Sequence, residues 1–155
     1  MGEVVSRGEL KMVAGSLRSS GKKIIFTNGC FDILHVGHVR YLNAARKLGE
    51  CLIVAVNSDE SVAKLKGAKR PLITADERAE VLAALSSVDY VVVFDELRPD
   101  SLIEELKPDV HVKGGDYGLE DIPERSIVES YGGKVVLIPD TGHSSSDIIS
   151  RMKDE

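Results

Sequence analysis

The chain has 155 residues, 43% of them hydrophobic, and its 25 acidic and 20 basic side chains give a formal net charge of -5. This length can bury one sizeable core, so we expect one domain over 1–155, with 1–21 as an N-terminal helical extension. The acidic balance argues against a general nucleic-acid or anionic-membrane surface, and we predict neither partner. Cys30 and Cys51 are too few for a disulfide framework, and no leader-like or roughly 20-residue apolar segment occurs. A cytoplasmic location is expected.

The first predicted element is a helix. Ser6 and Glu9 have the spacing of a capping box, and the helix is expected to run through Ser19 and to end at Gly21. After it, short apolar runs alternate with helix-length segments, which is the pattern of a parallel sheet with crossover helices. The predicted strands are 24–27, 52–56, 90–94, 110–112 and 135–138. We therefore predict an α/β fold: a doubly wound, five-stranded parallel sheet flanked by helices.

Three later helices have start signals in the sequence. Thr74 begins one of them, Pro99 another, and the three serines 144–146 precede the last. The serines have two readings. They are either a plain N-cap or a cradle of hydroxyl groups for a phosphate or a ribose.

The most informative segment, Asn28-Gly-Cys-Phe-Asp-Ile-Leu-His35-Val-Gly-His38, joins the first sheet strand to an amphipathic stretch. The backbone N–H groups at a helix start lack partners and the helix dipole is positive there, so phosphate oxygens can bind. Gly37 leaves room for a phosphate to approach. His35 and His38 are three residues apart, so their imidazole N–H groups should reach a triphosphate from one side of the first turn. The segment predicts a nucleotidyl-transferring site.

Two other readings of the histidine pair are weighed against phosphate contact. The histidines could cap the helix, or they could be half of a zinc site. Zinc needs three or four ligands at close spacing, and the remaining candidates show no such arrangement. Those candidates are Cys30, Cys51, His111 and His143.

Further polar residues follow other predicted strands. Asn57 follows the second sheet strand, and Lys113, Gly114, Asp116 and Tyr117 follow the fourth. Ligands of open parallel sheets bind beyond the carboxyl ends of the strands, so these pieces should converge on one crevice. The paired glycines of this segment permit close backbone approach and positive φ, which suits a ligand-contacting turn as well as a structural one.

Four cations lie within seven residues after the second sheet strand. They are Lys64, Lys66, Lys69 and Arg70. Gly67 and Pro71 suggest that this segment is a loop. Such a cluster is either a solvated surface run or a basic loop that closes over a triphosphate and neutralises its charge.

The His-Val-Gly-His sequence after Gly-Cys-Phe-Asp resembles the HxGH motif of the nucleotidyltransferase superfamily, which includes cytidylyltransferases and class I aminoacyl-tRNA synthetases. The resemblance is strongest to adenylyltransferases that activate D-glycero-β-D-manno-heptose 1-phosphate. It spans nearly the whole chain, through segments 26–42, 52–59, 70–71, 112–117 and 144–149. It implies AMP transfer from ATP, with Mg²⁺ carried by the ATP, to give ADP-heptose and pyrophosphate for the lipopolysaccharide inner core. It also implies a homodimer whose sugar phosphate is supplied by a separate sugar kinase.

The residues and the resemblance together assign three groups of site residues. The predicted catalytic group is His35, His38, Lys66 and Arg78, of which Arg78 rests on the resemblance. The predicted nucleotide-binding group is Asn28, Gly29, Cys30, Phe31, Gly37, Lys69, Gly114, Asp116, Ser144, Ser145 and Ser146. The predicted substrate-binding group is Asp32, Asn57, Lys113 and Tyr117. No protein ligand for a metal is predicted.

Two alternatives stay open from the sequence. One is a cytidylyltransferase acting on glycerol 3-phosphate or another phospho-alcohol, which the Ser-Asp-Ile-Ile segment near the end of the chain suggests. The other is a non-catalytic nucleotide sensor. A sugar phosphate is already a nucleophile near neutral pH, so the predicted reaction needs no side-chain nucleophile and depends on placement and charge control.

Overall fold

A computed structural model of the chain describes residues 2–115, 118–139 and 145–153. Within these ranges, all paired strands are parallel and form one sheet of order β1-β4-β3-β2-β5-β6. The strands are β1 Glu3–Val4, β2 Ile24–Gly29, β3 Cys51–Asn57, β4 Tyr90–Phe94, β5 Val110–Gly114 and β6 Lys134–Ile138. The α-helices are α1 Arg7–Ser19, α2 Val36–Arg46, α3 Asp59–Lys66, α4 Ala75–Ala83, α5 Asp100–Leu106, α6 Arg125–Ser130 and α7 Ser145–Lys153.

The sheet has a hydrophobic core on each face. On β2, Ile25 belongs to the cluster that holds residues of α2 and α4. Ile24 and Phe26 belong to the other cluster, with residues of α1, α5 and α6. The central strand β3 is buried at every position because helices cover both its faces, which explains its continuous apolar run. The predicted doubly wound α/β fold is confirmed.

The amino-terminal segment agrees with the sequence in its helix and differs in its first residues. Ser6 caps α1, and its side chain and that of Glu9 form the predicted capping box. The predicted count of five strands is wrong, since the described part of the chain contains six. The additional strand pairs Glu3 with Tyr90 and Val4 with Val91. Two residues are too short to carry the period-two pattern by which a strand is recognised.

The basic segment after β3 is a second difference. Ser58 caps α3, which runs to Lys66, and Gly67 ends it with a φ of 105°. Lys64 and Lys66 therefore lie on the last turn of a helix, and the prediction that they lie in a loop is wrong. Cations at this end of a helix interact favourably with its dipole.

The strand order reverses between β2 and β5. The chain leaves β2 to build β3 and β4 on one side, and later returns to place β5 on the other side of β2. Such a switch opens a crevice at the carboxyl ends of the two strands, where ligands of doubly wound sheets bind. The histidine-containing segment follows β2 and the glycine pair ends β5, so both lie at this edge. Among the described residues, no helix is long and apolar enough to cross a lipid bilayer.

Candidate functional site

The two histidines hold each other at the start of α2. The Nδ1 atom of His35 accepts the Gly37 N–H at 3.1 Å, and the Nδ1 atom of His38 accepts the His35 N–H at 3.3 Å. The ring centroids are 4.0 Å apart, so the expectation that both rings share one side of the first turn is confirmed. Because each Nδ1 accepts a hydrogen bond, the proton of each neutral ring is on Nε2. The pair therefore forms two adjacent Nε2–H donors.

His38 is neutral near pH 7. Burial, and then the neighbouring His35, lower the pKa of His38 from 6.5 to about 4. The Phe31 ring packs against the His38 ring with centroids 5.3 Å apart. In the free protein His38 is thus a neutral hydrogen-bond donor, and a bound phosphate would favour its protonated form.

The turn between β2 and the histidines is shaped by Gly29 and Phe31. A Cβ at Gly29 would come within 3.0 Å of the Phe31 ring, so only glycine fits without movement of that ring. Phe31 itself has a φ of 49°, a left-handed conformation that costs energy for a bulky residue and must be held by the surrounding structure. The Phe31 ring is buried, so in this structure it positions His38. A direct contact of Phe31 with a nucleotide stays a prediction.

Asp32 anchors the loop that follows α3. One carboxylate oxygen accepts from Arg70 Nε at 2.7 Å, and the two oxygens accept the backbone N–H groups of Leu72 and Ile73 at 2.9 to 3.0 Å. Burial alone would raise the pKa of Asp32, but the Leu72 N–H and the Arg70 guanidinium outweigh it and hold the pKa below its usual value of 3.8. Asp32 was predicted to contact substrate. That contact stays a prediction, and in this structure the carboxylate fixes the loop beside the histidine segment.

Arg78 is tied to three separate segments. Its side chain is only 1% exposed. Nε donates to the Ile73 carbonyl at 2.9 Å, one terminal nitrogen donates to the Cys30 carbonyl, and the other donates to Asp59 Oδ1 at 2.9 Å. The sequence predicted a catalytic arginine. The structure points all three nitrogens at the protein, so Arg78 ties the histidine segment to the start of α3 and the start of α4.

Asn57, also predicted to contact substrate, is used inside the protein. Only 3% of it is exposed. Its amide nitrogen donates to Ser61 Oγ at 2.8 Å and lies 3.5 Å from the Glu96 carbonyl. Asn57 therefore fixes the start of α3 against the end of β4.

The three lysines of the basic cluster, Lys64, Lys66 and Lys69, are all exposed and differ in their neighbours. Lys64 lies 3.4 Å from Glu60, and both side chains are mostly exposed, at 62% and 79%. Burial raises the pKa of the Cys30 thiol, and among the cations that oppose this rise Lys66 acts most strongly, ahead of Arg78 and Arg70. The charge of Lys66 is therefore within electrostatic range of the turn that precedes the histidines. Lys69 is exposed in the loop after α3.

The end of β5 contributes a second wall. Lys113 Nζ lies 3.5 Å from Glu124 Oε1, which is a buried carboxylate that the sequence did not single out. A Cβ at Gly114 would lie 3.1 Å from the ring of Tyr41, a residue of α2, so the glycine lets α2 pack closely on β5. Gly115 has a φ of 104°, as expected of this turn.

Part of the predicted site lies outside the described residues. The site residues that are not described are Asp116, Tyr117 and Ser144, together with the side chain of Ser145. Ser146 is exposed at the start of α7. Among the described residues, no three His, Cys, Asp or Glu side chains form a cluster that could hold a metal ion.

The chain matches a known protein family. A family model described as "Cytidylyltransferase-like" matches residues 26–151. The chain belongs to the cytidylyltransferase-like family. The match covers most of the chain, from the strand before the histidines to the last helix, and the chain is accordingly a nucleotidyltransferase.

Curated relatives agree with the family. The chain is 54% identical over 149 residues to "Bifunctional protein HldE" of Syntrophotalea carbinolica, with 96% of this chain covered. It is 53% identical over 151 residues to the protein of that name from Pasteurella multocida, with 97% of this chain covered. The matches span only 30% and 32% of those proteins, so this cytidylyltransferase-like chain corresponds to under a third of their length.

Solved structures support the same assignment. The lipopolysaccharide core biosynthesis protein of Thermoplasma volcanium superposes with a TM-score of 0.65 at 30% identity, over 80% of this chain and all of that one. Pantoate-β-alanine ligase of Francisella tularensis superposes with a TM-score of 0.67 over all of this chain and 74% of that one. Its identity is 15%, so it supports the fold alone.

Replacement of Lys66 tests the basic cluster in this cytidylyltransferase-like chain. We expect Lys66→Gln to lower kcat/KM by about 100-fold, the size of effect that follows the loss of one donor to a reacting phosphoryl group. Lys64→Gln is the matched control, because an exposed Lys–Glu pair contributes little and its effect disappears with added salt. Steady-state kinetics of pyrophosphate release at two salt concentrations measure both. If both replacements lowered kcat/KM equally, weakly and only at low salt, the lysine cluster would be a solvated surface without a role in the reaction.

Proposed function

We propose that the chain transfers AMP from Mg·ATP to D-glycero-β-D-manno-heptose 1-phosphate, giving ADP-heptose and pyrophosphate. The observation that carries the reaction type is the pair of adjacent Nε2–H donors of His35 and His38 at the start of α2. The helix start itself adds a positive field for phosphate oxygens. The choice of ATP and of the sugar phosphate rests on the sequence resemblance, and the name of the Thermoplasma volcanium protein agrees with a role in lipopolysaccharide core biosynthesis.

The proposed mechanism is an in-line displacement. A phosphate oxygen of the sugar phosphate attacks the α-phosphorus of ATP and forms the new P–O bond. The bond between the α-phosphorus and the bridging oxygen breaks, and its electron pair leaves on pyrophosphate. The attacking oxygen is already ionised near neutral pH, so no base needs to remove a proton from it.

His35 and His38 act on the phosphate oxygens in this scheme. Their Nε2–H groups donate to oxygens that gain negative charge as the bond to pyrophosphate breaks. The rings are held by backbone contacts before the substrate arrives, which fixes the direction of both Nε2 atoms. Lys66 supplies positive charge from the end of α3, and Mg²⁺ enters as part of the ATP complex.

The acceptor must be selected by groups other than the phosphate, because every monoester offers the same attacking oxygen. A site that hydrogen-bonds sugar hydroxyls rejects a smaller alcohol, since its buried polar groups would be left unpaired. Asp32 and Asn57 are engaged within the protein. We therefore assign acceptor contacts to the end of β5, where Lys113 is partly exposed.

A matrix of nucleoside triphosphates against phosphorylated acceptors tests the proposal. We expect pyrophosphate and ADP-heptose from ATP with D-glycero-β-D-manno-heptose 1-phosphate, and little product from CTP with glycerol 3-phosphate. Pyrophosphate release and mass spectrometry of the products are the measurements. Efficient CDP-glycerol formation without ADP-heptose would overturn the substrates and keep the reaction type. Nucleotide binding without turnover for any pair would favour a sensor.

A further inference from the structure

His111 is a fully buried polar side chain in the centre of the molecule. It lies on β5 directly opposite Phe26 of β2, and the two rings meet edge to face with centroids 5.5 Å apart. Its Nε2 atom lies 3.1 Å from Asn28 Oδ1. Its Nδ1 atom is buried and has no hydrogen-bond partner in the described part of the chain.

The protonation of His111 follows from these contacts. Burial, and then the charge of Lys113, lower its pKa to about 3, so the ring is neutral at pH 7. The amide oxygen of Asn28 can only accept, so the single ring proton is on Nε2. The lone pair of Nδ1 is then buried without a donor, which is costly. An apolar side chain would avoid that cost but could not form the hydrogen bond to Asn28 that the histidine forms.

Asn28 stands where this bond can affect a ligand. It is the next-to-last residue of β2, half-buried, at the switch point between β2 and β5. His111 occupies its oxygen. Its amide nitrogen makes no hydrogen bond to the described residues, so the donor end of the side chain is the end that a ligand in the crevice can use.

We propose that His111 is a positioning residue, which orients the Asn28 amide so that its N–H groups donate to an oxygen of the bound nucleoside triphosphate. The ligand class in this inference rests on the proposed function. Without the bond from His111, the amide can rotate about its last torsion and present oxygen in place of nitrogen. A phosphate or hydroxyl-rich ligand would then lose its donor and meet an acceptor.

The experiment measures binding of Mg·ATP by titration calorimetry, with Mg·CTP run in parallel, on variants of the full chain. His111→Phe keeps the edge-to-face ring contact and removes the hydrogen bond. We expect Kd to rise about fivefold, the loss of one oriented hydrogen bond. We expect the melting temperature to stay level or rise, because the buried lone pair is gone. His111→Gln places an amide N–H where Nε2 was and should restore most of the affinity.

Matched variants separate this role from a structural one. Val110 lies on the same strand, and its side chain is buried in the core on the other face of the sheet. Val110→Ala should therefore lower the melting temperature without changing Kd. In an Asn28→Ser background, His111→Phe should cause no further loss of affinity. If His111→Phe is overpacked and does not fold, His111→Leu takes its place in the binding measurement, because it also removes the hydrogen bond to Asn28.

Three outcomes would overturn the inference. Unchanged Kd in both His111→Phe and His111→Leu would show that orientation of Asn28 is not needed. Additive losses in the double variant would show that His111 acts through another residue. If the wild-type chain binds neither triphosphate, this inference and the proposed function fall together, whereas wild-type binding with unaffected variants removes this inference alone.

Discussion

Replacement of His35 by asparagine should lower kcat by about 100- to 1000-fold with little change in melting temperature. The loss corresponds to one preorganised donor to a developing negative charge, about 2.7 to 4 kcal/mol. Asparagine is a good N-cap, and its side-chain oxygen can accept the Gly37 N–H that His35 Nδ1 accepts now. It cannot supply the Nε2–H donor. Single-turnover kinetics and thermal unfolding of the same preparation measure the two effects.

His35→Ala is the control for this prediction. Alanine removes the cap as well as the donor, so it should lose the same activity and about 1 kcal/mol of stability in addition. His38→Asn should behave as His35→Asn does, because the Nδ1 atom of His38 also accepts a backbone N–H. An asparagine variant at either position that kept near-wild-type kcat would remove that histidine from the chemistry.

The features that could be predicted from sequence are local ones. The capping box of Ser6 and Glu9 and the helix start at His35 depend on residues within three positions of one another, and both are present in the structure. Strands β2 to β6 were predicted from their short apolar runs, and in β3 this run marks a strand that is buried on both faces. The short strand β1 and the helix α3 were missed, because the first carries no pattern and the second is rich in exposed lysine.

The roles of individual polar residues were harder to predict. Asp32 and Arg78 occur where a ligand contact was expected, yet Asp32 bonds Arg70, 38 residues away in the chain, and Arg78 bonds Cys30, 48 residues away. A sequence pattern reports which groups lie at the carboxyl edge of the sheet. It does not show which of these polar groups are already hydrogen-bonded to the backbone of a distant loop. His111 was considered only as a zinc ligand, because its bond to Asn28 becomes visible once β2 and β5 are known to be neighbours.

The position of the histidine pair depends on two sets of hydrogen bonds, those of Asp32 and those of Arg78. Asp32 holds the backbone at Leu72 and Ile73, and Arg78 holds the carbonyl of the same Ile73 together with that of Cys30. The segment after β2 and the loop after α3 are therefore fixed to each other. Loss of either set is expected to displace the histidines and the basic residues together.

Arg78→Met should be the most destabilising single replacement at this site. It removes a buried guanidinium and leaves two backbone carbonyls without their donors, with an expected loss of about 3 kcal/mol in the free energy of unfolding. This is the lower end of the range for breaking a buried pair, because the partner carboxylate of Asp59 is half exposed. Urea unfolding measures the loss. We also expect kcat/KM to fall at temperatures where the variant remains folded.

Arg78→Lys distinguishes a structural tie from a direct phosphate contact. A lysine would keep a positive charge for a phosphate, but its single ammonium cannot reproduce the planar arrangement by which Arg78 reaches Ile73, Cys30 and Asp59. If Arg78 acts through these three segments, Arg78→Lys should lose nearly as much stability and activity as Arg78→Met. Wild-type stability with activity largely retained by the lysine, and lost by the methionine, would instead place Arg78 on the phosphate.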